Sequence, residues 1–314
     1  MLLHGEREKS FILKDGREGD VMGSRTGSTV PRRQLGRYLR DLRGRAGFTV
    51  RAAAVELEWS EVKMWRIETG QSSMRSHDVE TMCRVYGAPA ELRRALMGLA
   101  KETKAQGWWH SYGDVIPEDF DVYMGLEEAA SGLSWYEADL VPGLLQTDGY
   151  ARAVVRAHRG DLPDAEVERR VRLRTARQTL LTRGSTAPIL RVVLNEAVLR
   201  RPTGGHGVMD GQLRHLLWAT GLANVSIRIV TFASGMHHGV MTGPFVLLRF
   251  PEGMGKAEPP TVYVENLTGA LYLDKDAEVA SYAAAFDNIW TASLDESASA
   301  RLVADMVGTH EEQH

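Results

Sequence analysis

The sequence lacks the features that would place the protein in a membrane or outside the cell. It has no run of roughly eighteen or more apolar residues, so no membrane-spanning helix is predicted. Its first residues contain no apolar signal core, which argues against secretion. Cys83 is the single cysteine, which excludes an intramolecular disulfide. We therefore expect a cytoplasmic protein that makes no membrane contact.

The sequence also has little net charge, and that charge is unevenly distributed. The formal value is −3 over 314 residues, which alone does not suggest a nucleic-acid-binding protein. Residues 31–104, however, contain fifteen Lys and Arg against nine Asp and Glu, a net charge of +6 that leaves −9 for the remainder. A basic module joined to an acidic one is typical of a local DNA-binding surface. Ordinary variation of charge along a chain stays the alternative interpretation.

Composition and length predict two folded domains. Hydrophobic residues make up 43% and charged residues 25%, ordinary values for a globular protein. The predicted fold class is multidomain, an all-α five-helix helix-turn-helix domain followed by an α+β domain with a mixed sheet and flanking helices. The predicted boundaries are a disordered tail at 1–30, a DNA-binding domain at 31–104, a linker at 105–122, a regulatory or partner-binding domain at 123–307 and a tail at 308–314.

Two questions about the N-terminal tail stay open. It contains Arg25 and is followed by Arg32 and Arg33, so it is either a basic arm that reaches DNA or an unstructured segment. Met1 and Met22 are alternative natural starts.

The basic segment has the spacing of a small helical bundle. Apolar residues recur at helical intervals from Leu35 to Leu42, and Gly47 follows where that helix should end. Thr49 and Ser60 are suited to cap the second and third helices. Two further apolar stripes predict a fourth and a fifth helix: Val79, Met82, Cys83 and Tyr86, then Leu92, Leu96 and Leu99.

Four pieces of this segment occur in a distinctive order: LGRYLRDLR, then AGFT, then the capping Ser60, then KMWRIETG. This order resembles the Xre/Cro/C1-type helix-turn-helix family, in which the third helix lies in the DNA major groove. The resemblance implies that Glu61, Val62 and Arg66 contact bases. It implies phosphate contacts by Thr49, Arg51, Ser60 and Lys63.

The roles of three side chains in this family pattern have alternatives. Trp65 either lies along the DNA backbone or packs on the domain surface. Glu61 either accepts a hydrogen bond from cytosine N4 or interacts with the helix dipole at the first turn. Arg66 can donate two hydrogen bonds to guanine. The resemblance also implies a structural ion pair between Arg43 and Glu68.

Two positions depart from the family pattern. Glu58 stands where the turn before the third helix usually has glycine, and a positive φ there would cost about 1 kcal/mol. Val50 stands where the second helix often begins with glutamine. A helical bundle that serves protein contacts instead of DNA contacts is the alternative.

The acidic part has the pattern of an α+β domain. Residues 123–150 combine a short helix with an extended piece that ends at the sequence VPG. Strands are predicted at 188–194, 225–229, 245–250, 261–265 and 270–273. Helices are predicted near 163–183, 208–222, 278–291 and 296–306.

Seven pieces of the acidic part also occur in a recognisable order: LEEAA, VPGLLQT, RRVRLRTARQTLL, NEAVLRRP, NVSIRIV, GPFVLLRF and VYVENLTGALYL. They resemble the actinobacterial (Streptomyces-type) regulator domain of unknown function that follows Xre-type readers, over roughly residues 108–306. The resemblance implies an antitoxin-like transcriptional regulator that represses from a pseudo-palindromic double-stranded DNA operator. It implies a homodimer whose C-terminal domain senses a small ligand or a small partner protein encoded nearby.

Residues of VPGLLQT are candidates for partner or ligand contact, namely Val141, Pro142, Gly143 and Gln146. The alternative is a packed corner in which proline and glycine fix the turn and the two leucines fill the core.

The adjacent His237 and His238 are the other candidates for partner, ligand or metal contact, with a polar loop as the alternative. No G-x-S-x-G, H-E-x-x-H or P-loop pattern occurs, so we expect no enzyme, no cofactor and no metal. Two other functions stay open: an antitoxin-like component that acts mainly by binding a small partner, and an enzymatic or metal-binding activity in the C-terminal domain.

Overall fold

A computed structural model describes residues 29–104, 107–112, 114–116, 118–252, 258–267 and 269–308. The predicted N-terminal tail, with Met22 and Arg25, lies outside the described residues except for Thr29 and Val30. These two residues open the first helix.

Five helices form the N-terminal domain around a single core that includes Leu39, Met64 and Met82. Their bounds are α1 Thr29–Arg45, α2 Val50–Glu56, α3 Glu61–Glu68, α4 Ser76–Val85 and α5 Ala90–Glu102. Cys83 is fully buried in this core, and burial raises the pKa of its thiol to about 11. A thiol in this environment packs as a small apolar group.

Helix α1 crosses α3 at close range because Gly36 has no side chain. A Cβ atom at Gly36 would lie 2.4 Å from the carbonyl oxygen of Ile67. Gly36→Ala should therefore lower the free energy of unfolding by about 2 kcal/mol, since the clash is with backbone that cannot rotate away.

Gly44 provides the matched control for that substitution. It lies in the same helix, and a Cβ atom there would have nothing within 4 Å, so Gly44→Ala should be neutral or stabilising by up to about 1 kcal/mol. Denaturant unfolding followed by circular dichroism measures both. Equal midpoints for the two variants would contradict the close crossing.

A mixed six-stranded sheet forms the centre of the C-terminal domain, with strand order β3-β2-β1-β4-β5-β6. The strands are β1 Gly132–Glu137, β2 Ile189–Asn195, β3 Val225–Val230, β4 Phe245–Arg249, β5 Thr261–Asn266 and β6 Gly269–Leu273. Strands β1, β2 and β3 run parallel, whereas β4, β5 and β6 pair antiparallel. The predicted fold class, a helical domain followed by a mixed α+β domain, is confirmed.

Helices cover both faces of this sheet. Their bounds are α6 Glu118–Ala129, α7 Asp148–His158, α8 Asp164–Gln178, α9 Glu196–Arg200, α10 His206–Ala219, α11 His238–Thr242, α12 Asp276–Ala292 and α13 Glu296–Met306. The larger core lies on one face, where Leu213 and Val303 belong to the same buried cluster as Trp135 and other strand residues. Phe286 and Ile289 of α12 pack on the opposite face. None of the helices among the described residues is long and apolar enough to cross a membrane.

Structure extends into the segment 105–122 that we predicted as a linker. Helix α6 begins inside it, and a short 3-10 helix occupies Trp108–Tyr112. The Trp109 side chain is fully buried, and its Nε1 donates a 2.7 Å hydrogen bond to Asp121. Trp109 also shares a buried cluster with Met124 of α6 and Leu173 of α8, so this segment packs on the C-terminal domain.

A buried cluster of charged side chains joins helix α1 to the C-terminal domain. Arg33 donates from Nε to Glu258 at 2.9 Å, and from Nη2 to Thr261 at 3.1 Å and Asp274 at 3.2 Å. Arg37 donates to the same Glu258 carboxylate at 3.0 Å. We call these five residues the Glu258 cluster. It anchors the first helix of the N-terminal domain to the β5–β6 edge of the sheet.

The alternative of a basic arm does not apply to Arg32 and Arg33. Both lie within α1, where Arg33 is buried in the Glu258 cluster and Arg32 is 3.5 Å from Asp121. These two residues therefore do not belong to a basic arm, because their side chains pair with acidic residues that lie far along the chain. Gly125 of α6 faces Thr29 of α1 so closely that a Cβ atom at Gly125 would overlap the threonine hydroxyl.

Candidate nucleic-acid interface

Helix α3 divides into a buried face and an exposed face. Met64 and Ile67 are buried in the core, whereas Val62 is 61% and Trp65 53% exposed. Ser60 caps the helix, and its Oγ accepts a hydrogen bond from the Lys63 amide at 3.1 Å. The exposed face thus includes two large apolar side chains for which the folded monomer provides no cover.

The side chains predicted to contact DNA are all exposed: Thr49, Arg51, Ser60, Glu61, Val62, Lys63, Trp65 and Arg66. They come from the first turns of α2 and from α3. Thr49 caps α2 as Ser60 caps α3, with its Oγ1 accepting from the Ala52 amide at 3.1 Å. A hydroxyl that accepts from a backbone amide can still donate its own hydrogen to a phosphate oxygen.

The turn between α2 and α3 places Glu58 in the left-handed region, with φ of +56°. It is the only non-glycine residue with positive φ among the described residues. We expect Glu58→Gly to raise the free energy of unfolding by about 0.5 kcal/mol. It relieves the left-handed strain, but the more flexible unfolded chain offsets part of that gain. Thermal unfolding tests this, and a lower melting temperature would contradict it.

Trp59 supports Lys63, one of the residues predicted to contact phosphate. The sequence did not predict this support. The Lys63 ammonium lies 3.4 Å from the centroid of the Trp59 ring, a cation–π contact. This contact holds the long Lys63 side chain at the start of α3. The sequence signal was an aromatic residue directly before the capping Ser60.

Arg43 and Glu68 form a two-bond ion pair behind the exposed face. Arg43 Nε and Nη2 donate to the two carboxylate oxygens of Glu68 at 2.6 and 2.8 Å, and Nη1 donates to the Phe48 carbonyl at 2.8 Å. Hydrogen bonding to Glu68 raises the pKa of Arg43. The pair fixes the end of α3 against α1.

The C-terminal half of α3 borders a cleft between the two domains. Its volume is about 860 Å³, and Trp65, Arg66 and Arg40 line one side of it. Leu271 and Tyr272 of β6 line the other side. The sequence did not predict this proximity, because it depends on how α1 docks on the C-terminal domain.

Comparison with protein families matches both domains. Residues 34–96 match a family described as a helix-turn-helix domain, and this range runs from within α1 through α2, α3 and α4 into α5. Residues 120–305, more than half of the chain, match a family described as a domain of unknown function, DUF5753. The chain belongs to the DUF5753 family. No curated protein and no solved structure matches this DUF5753 protein.

In this DUF5753 protein the VPGLLQT segment forms a packed corner. Leu144 and Leu145 are buried, and Pro142 precedes the 3-10 helix Gly143–Leu145. Gln146 Nε2 donates to the Val141 carbonyl at 2.7 Å. A cavity is also lined by this segment, through Val141, Gly143 and Gln146. The two leucines thus fit the packed-corner interpretation, and the cavity-lining residues remain candidates for ligand contact.

His237 and His238 lie at the start of α11. His237 is buried, and its Nδ1 accepts a hydrogen bond from the Gly239 amide at 3.1 Å. Burial and the neighbouring His238 lower the pKa of His237. Among the described residues, no group of three or more His, Cys, Asp or Glu is placed to hold a metal ion. His237 thus fixes a local turn.

Proposed function

We propose that this protein is a cytoplasmic, sequence-specific transcriptional regulator of the Xre type, a repressor whose C-terminal domain senses a ligand or a small partner protein. The observation that carries the proposal is the exposed face of α3 in a domain that matches a helix-turn-helix family. No catalytic role is proposed for either domain.

Four of the exposed side chains of α3 have a proposed role on DNA. Arg66 and Val62 are one helical turn apart on the face that enters the major groove, with Glu61 beside them. Arg66 donates to guanine, Val62 contacts a thymine methyl group and Glu61 accepts from cytosine. Ser60, Lys63, Thr49 and Arg51 contact phosphates on either side.

A mobility-shift assay with the promoter region of the protein's own gene tests this proposal. The intact protein should retard this duplex, and the affinity should fall steeply as salt rises because phosphate contacts release counterions. A shift that is equally strong on unrelated duplexes would contradict sequence-specific reading. The absence of any shift at low salt would contradict DNA binding itself.

Lys63→Ala should weaken binding to specific and unrelated duplexes by a similar factor, because the ammonium contacts phosphate and not base edges. The slope of log affinity against log salt should become shallower by about one. Fluorescence anisotropy over a salt series measures both quantities. A loss confined to the specific duplex would instead place Lys63 among the base contacts.

We propose that two copies bind together on a pseudo-palindromic operator. Helix-turn-helix proteins commonly place two readers about one helical turn of DNA apart, which favours twofold symmetry. Light scattering of the purified protein–DNA complex gives the stoichiometry directly. One protein chain per operator would contradict the dimer.

An antitoxin-like role in binding a small partner is the second candidate, favoured by exposed apolar side chains around α11. Phe232, Met236, Val240 and Met241 are 55–79% exposed within a short stretch of chain that also contains His238. Apolar groups that form one contiguous exposed patch are typical of protein contact sites. Co-expression with the neighbouring gene product tests this role, and Met241→Glu should release a partner held on this surface.

A further inference from the structure

A cavity of about 900 Å³ opens in the C-terminal domain, and it shares Ile116, Gly269 and Ala270 with the cleft beside α3. One wall is formed by aromatic side chains of the sheet and of α6, namely Tyr123, Trp135 and Tyr263. Tyr123 is central, with its ring centroid 4.3 Å from that of Tyr263 and 6.4 Å from that of Trp135. Such a wall suits an apolar, ring-sized group.

Helix α8 forms the facing wall with three arginines at helical spacing. Arg170, Arg174 and Arg177 lie at i, i+4 and i+7, so all three point to one side of the helix. Arg170 is 2.8 Å from Glu166, and Arg177 is 2.6 Å from Glu127. Burial disfavours the charged form of Arg177, but contact with Glu127 outweighs it and raises the pKa. These two guanidinium groups are therefore already neutralised.

Arg174 differs from its two neighbours. Within the part of the chain that the structure describes, no carboxylate lies within 4.0 Å of its guanidinium. Its Nη1 donates instead to a neutral acceptor, the Gln146 Oε1 atom, at 2.6 Å. Burial lowers the pKa of Arg174 to about 10, so the group stays charged at neutral pH. Glu265 acts on Arg174 only from beyond 4.0 Å, so the partly buried guanidinium has no direct ion pair and favours an anionic ligand.

The VPGLLQT corner positions this guanidinium. Gln146 is buried and held on two sides: its Nε2 donates to the Val141 carbonyl, and its backbone carbonyl accepts from Gln178 at 2.5 Å. The amide oxygen of Gln146 is thereby directed at Arg174. Gly143 leaves room beside Arg177, because a Cβ atom there would lie 3.3 Å from Nη1.

The acidic side chains of the cavity lie on the sheet. Glu137 follows Trp135 on β1, and Glu265 follows Tyr263 on β5. Burial raises the pKa of Glu137 to about 8, so at neutral pH this carboxyl is largely protonated and can donate a hydrogen bond. Glu137 therefore adds little negative charge to oppose an anion at Arg174, which leaves Glu265 as the acidic group of the cavity that acts on Arg174.

We propose that this cavity binds a small organic anion whose carboxylate or phosphate group pairs with Arg174 and whose apolar body lies against Trp135, Tyr123 and Tyr263. This identifies a ligand class for the sensing domain, and its regulatory meaning rests on the proposed function. The binding itself does not, because it needs no DNA.

The β5–β6 hairpin connects this cavity to the DNA-reading domain. Tyr263 on β5 and Ala270 on β6 line the cavity. Thr261 at the start of β5 and Asp274 just after β6 both hold Arg33 of α1 in the Glu258 cluster. A ligand that shifts this hairpin would change how α1 is held. Because α1 packs closely against α3, binding of the anion would then also affect α3.

Isothermal titration of the full-length protein with naphthalene probes tests the site. The probes are 2-naphthoate, 2-naphthyl phosphate, the neutral 2-naphthamide and the cationic 2-naphthylmethylamine. We expect one or both anions to bind at least 10-fold more tightly than the neutral and cationic probes, and their ratio distinguishes carboxylate from phosphate recognition. Arg174→Gln should weaken anion binding 10-fold or more, and Arg174→Lys should retain part of it.

Arg172→Gln is the matched control, since Arg172 is exposed on another side of α8 and does not line the cavity. It should leave anion binding unchanged, and melting curves show that each variant is folded. Equal binding of the amide or amine, an unchanged affinity in Arg174→Gln, or no binding by any probe would overturn the proposal. Since DNA is absent from the titration, failure here leaves the DNA-binding proposal untouched, and the reverse also holds.

Discussion

Glu258→Ala should lower the free energy of unfolding by about 3 kcal/mol, the largest loss of stability that we expect from a single substitution. The Glu258 carboxylate is almost fully buried, with a side-chain exposure of 2%, and it neutralises Arg33 and Arg37 together. Removing it leaves buried guanidinium charge without its main partner, which typically costs about 3–5 kcal/mol. Asp274 remains beside Arg33, so the expected loss is at the lower end.

Denaturant unfolding, followed by tryptophan fluorescence and circular dichroism, measures this loss. Glu80→Ala is the matched control, because Glu80 pairs with Arg84 on the surface of α4, where the arginine is 66% exposed. Exposed pairs contribute about 0–1 kcal/mol, so the control should change little. If Glu258→Ala destabilises no more than Glu80→Ala, the Glu258 cluster does not hold the two domains together.

Loss of Glu258 should also loosen the attachment of α1. Hydrogen exchange of the α1 amides should rise more in Glu258→Ala than in a variant with the same loss of stability in the sheet core, such as Leu247→Ala. Equal protection of α1 in the two variants would show that the effect is global and not a release of the N-terminal domain.

Arg66→Ala should weaken binding to the specific duplex by about 10- to 100-fold and relax preference at one base pair. The reason is that a bidentate arginine–guanine contact contributes about 1–3 kcal/mol of discrimination. Arg66 is exposed on α3, and its removal opens no cavity in the core, so the variant should fold normally.

Two comparisons separate a base contact from a general charge effect. Arg66→Lys keeps the charge but loses the two-bond geometry, so it should keep binding to unrelated duplexes and lose specificity. Arg45→Ala removes an exposed arginine at the far end of α1 and should have little effect on specificity. An unchanged preference in Arg66→Ala would remove Arg66 from the set of base contacts.

The helical bundle could be predicted from sequence because its signals are local. Caps such as Thr49 and Ser60, the glycines after helices and the apolar stripes at helical spacing lie within a few positions of the elements they define. The left-handed conformation of Glu58 was also visible as a departure from a glycine position. Most strands were visible for the same reason, because runs such as Ile189–Asn195 are short and apolar.

The arrangement of the two domains could not be predicted, because the contacts that decide it are far apart in sequence. Nothing near Arg33 in the sequence indicates that its partner is Glu258. For β1, one of the two central strands, the sequence indicates only an extended piece, since Ser134 is a polar residue buried in it. The sequence places Arg170, Arg174 and Arg177 only in a segment that resembles a family. It does not show that they line one cavity, because this depends on where α8 packs.

Selection of DNA from a randomised duplex library with the full-length protein tests the central claim most directly. Bound duplexes are recovered over several rounds and sequenced, with Arg66→Ala protein in parallel. We predict that wild-type protein enriches one motif of two inverted half-sites about one helical turn apart, and that Arg66→Ala loses the preference at one position of each half-site. Recovery of sequences no different from the starting library would contradict sequence-specific DNA reading by α3.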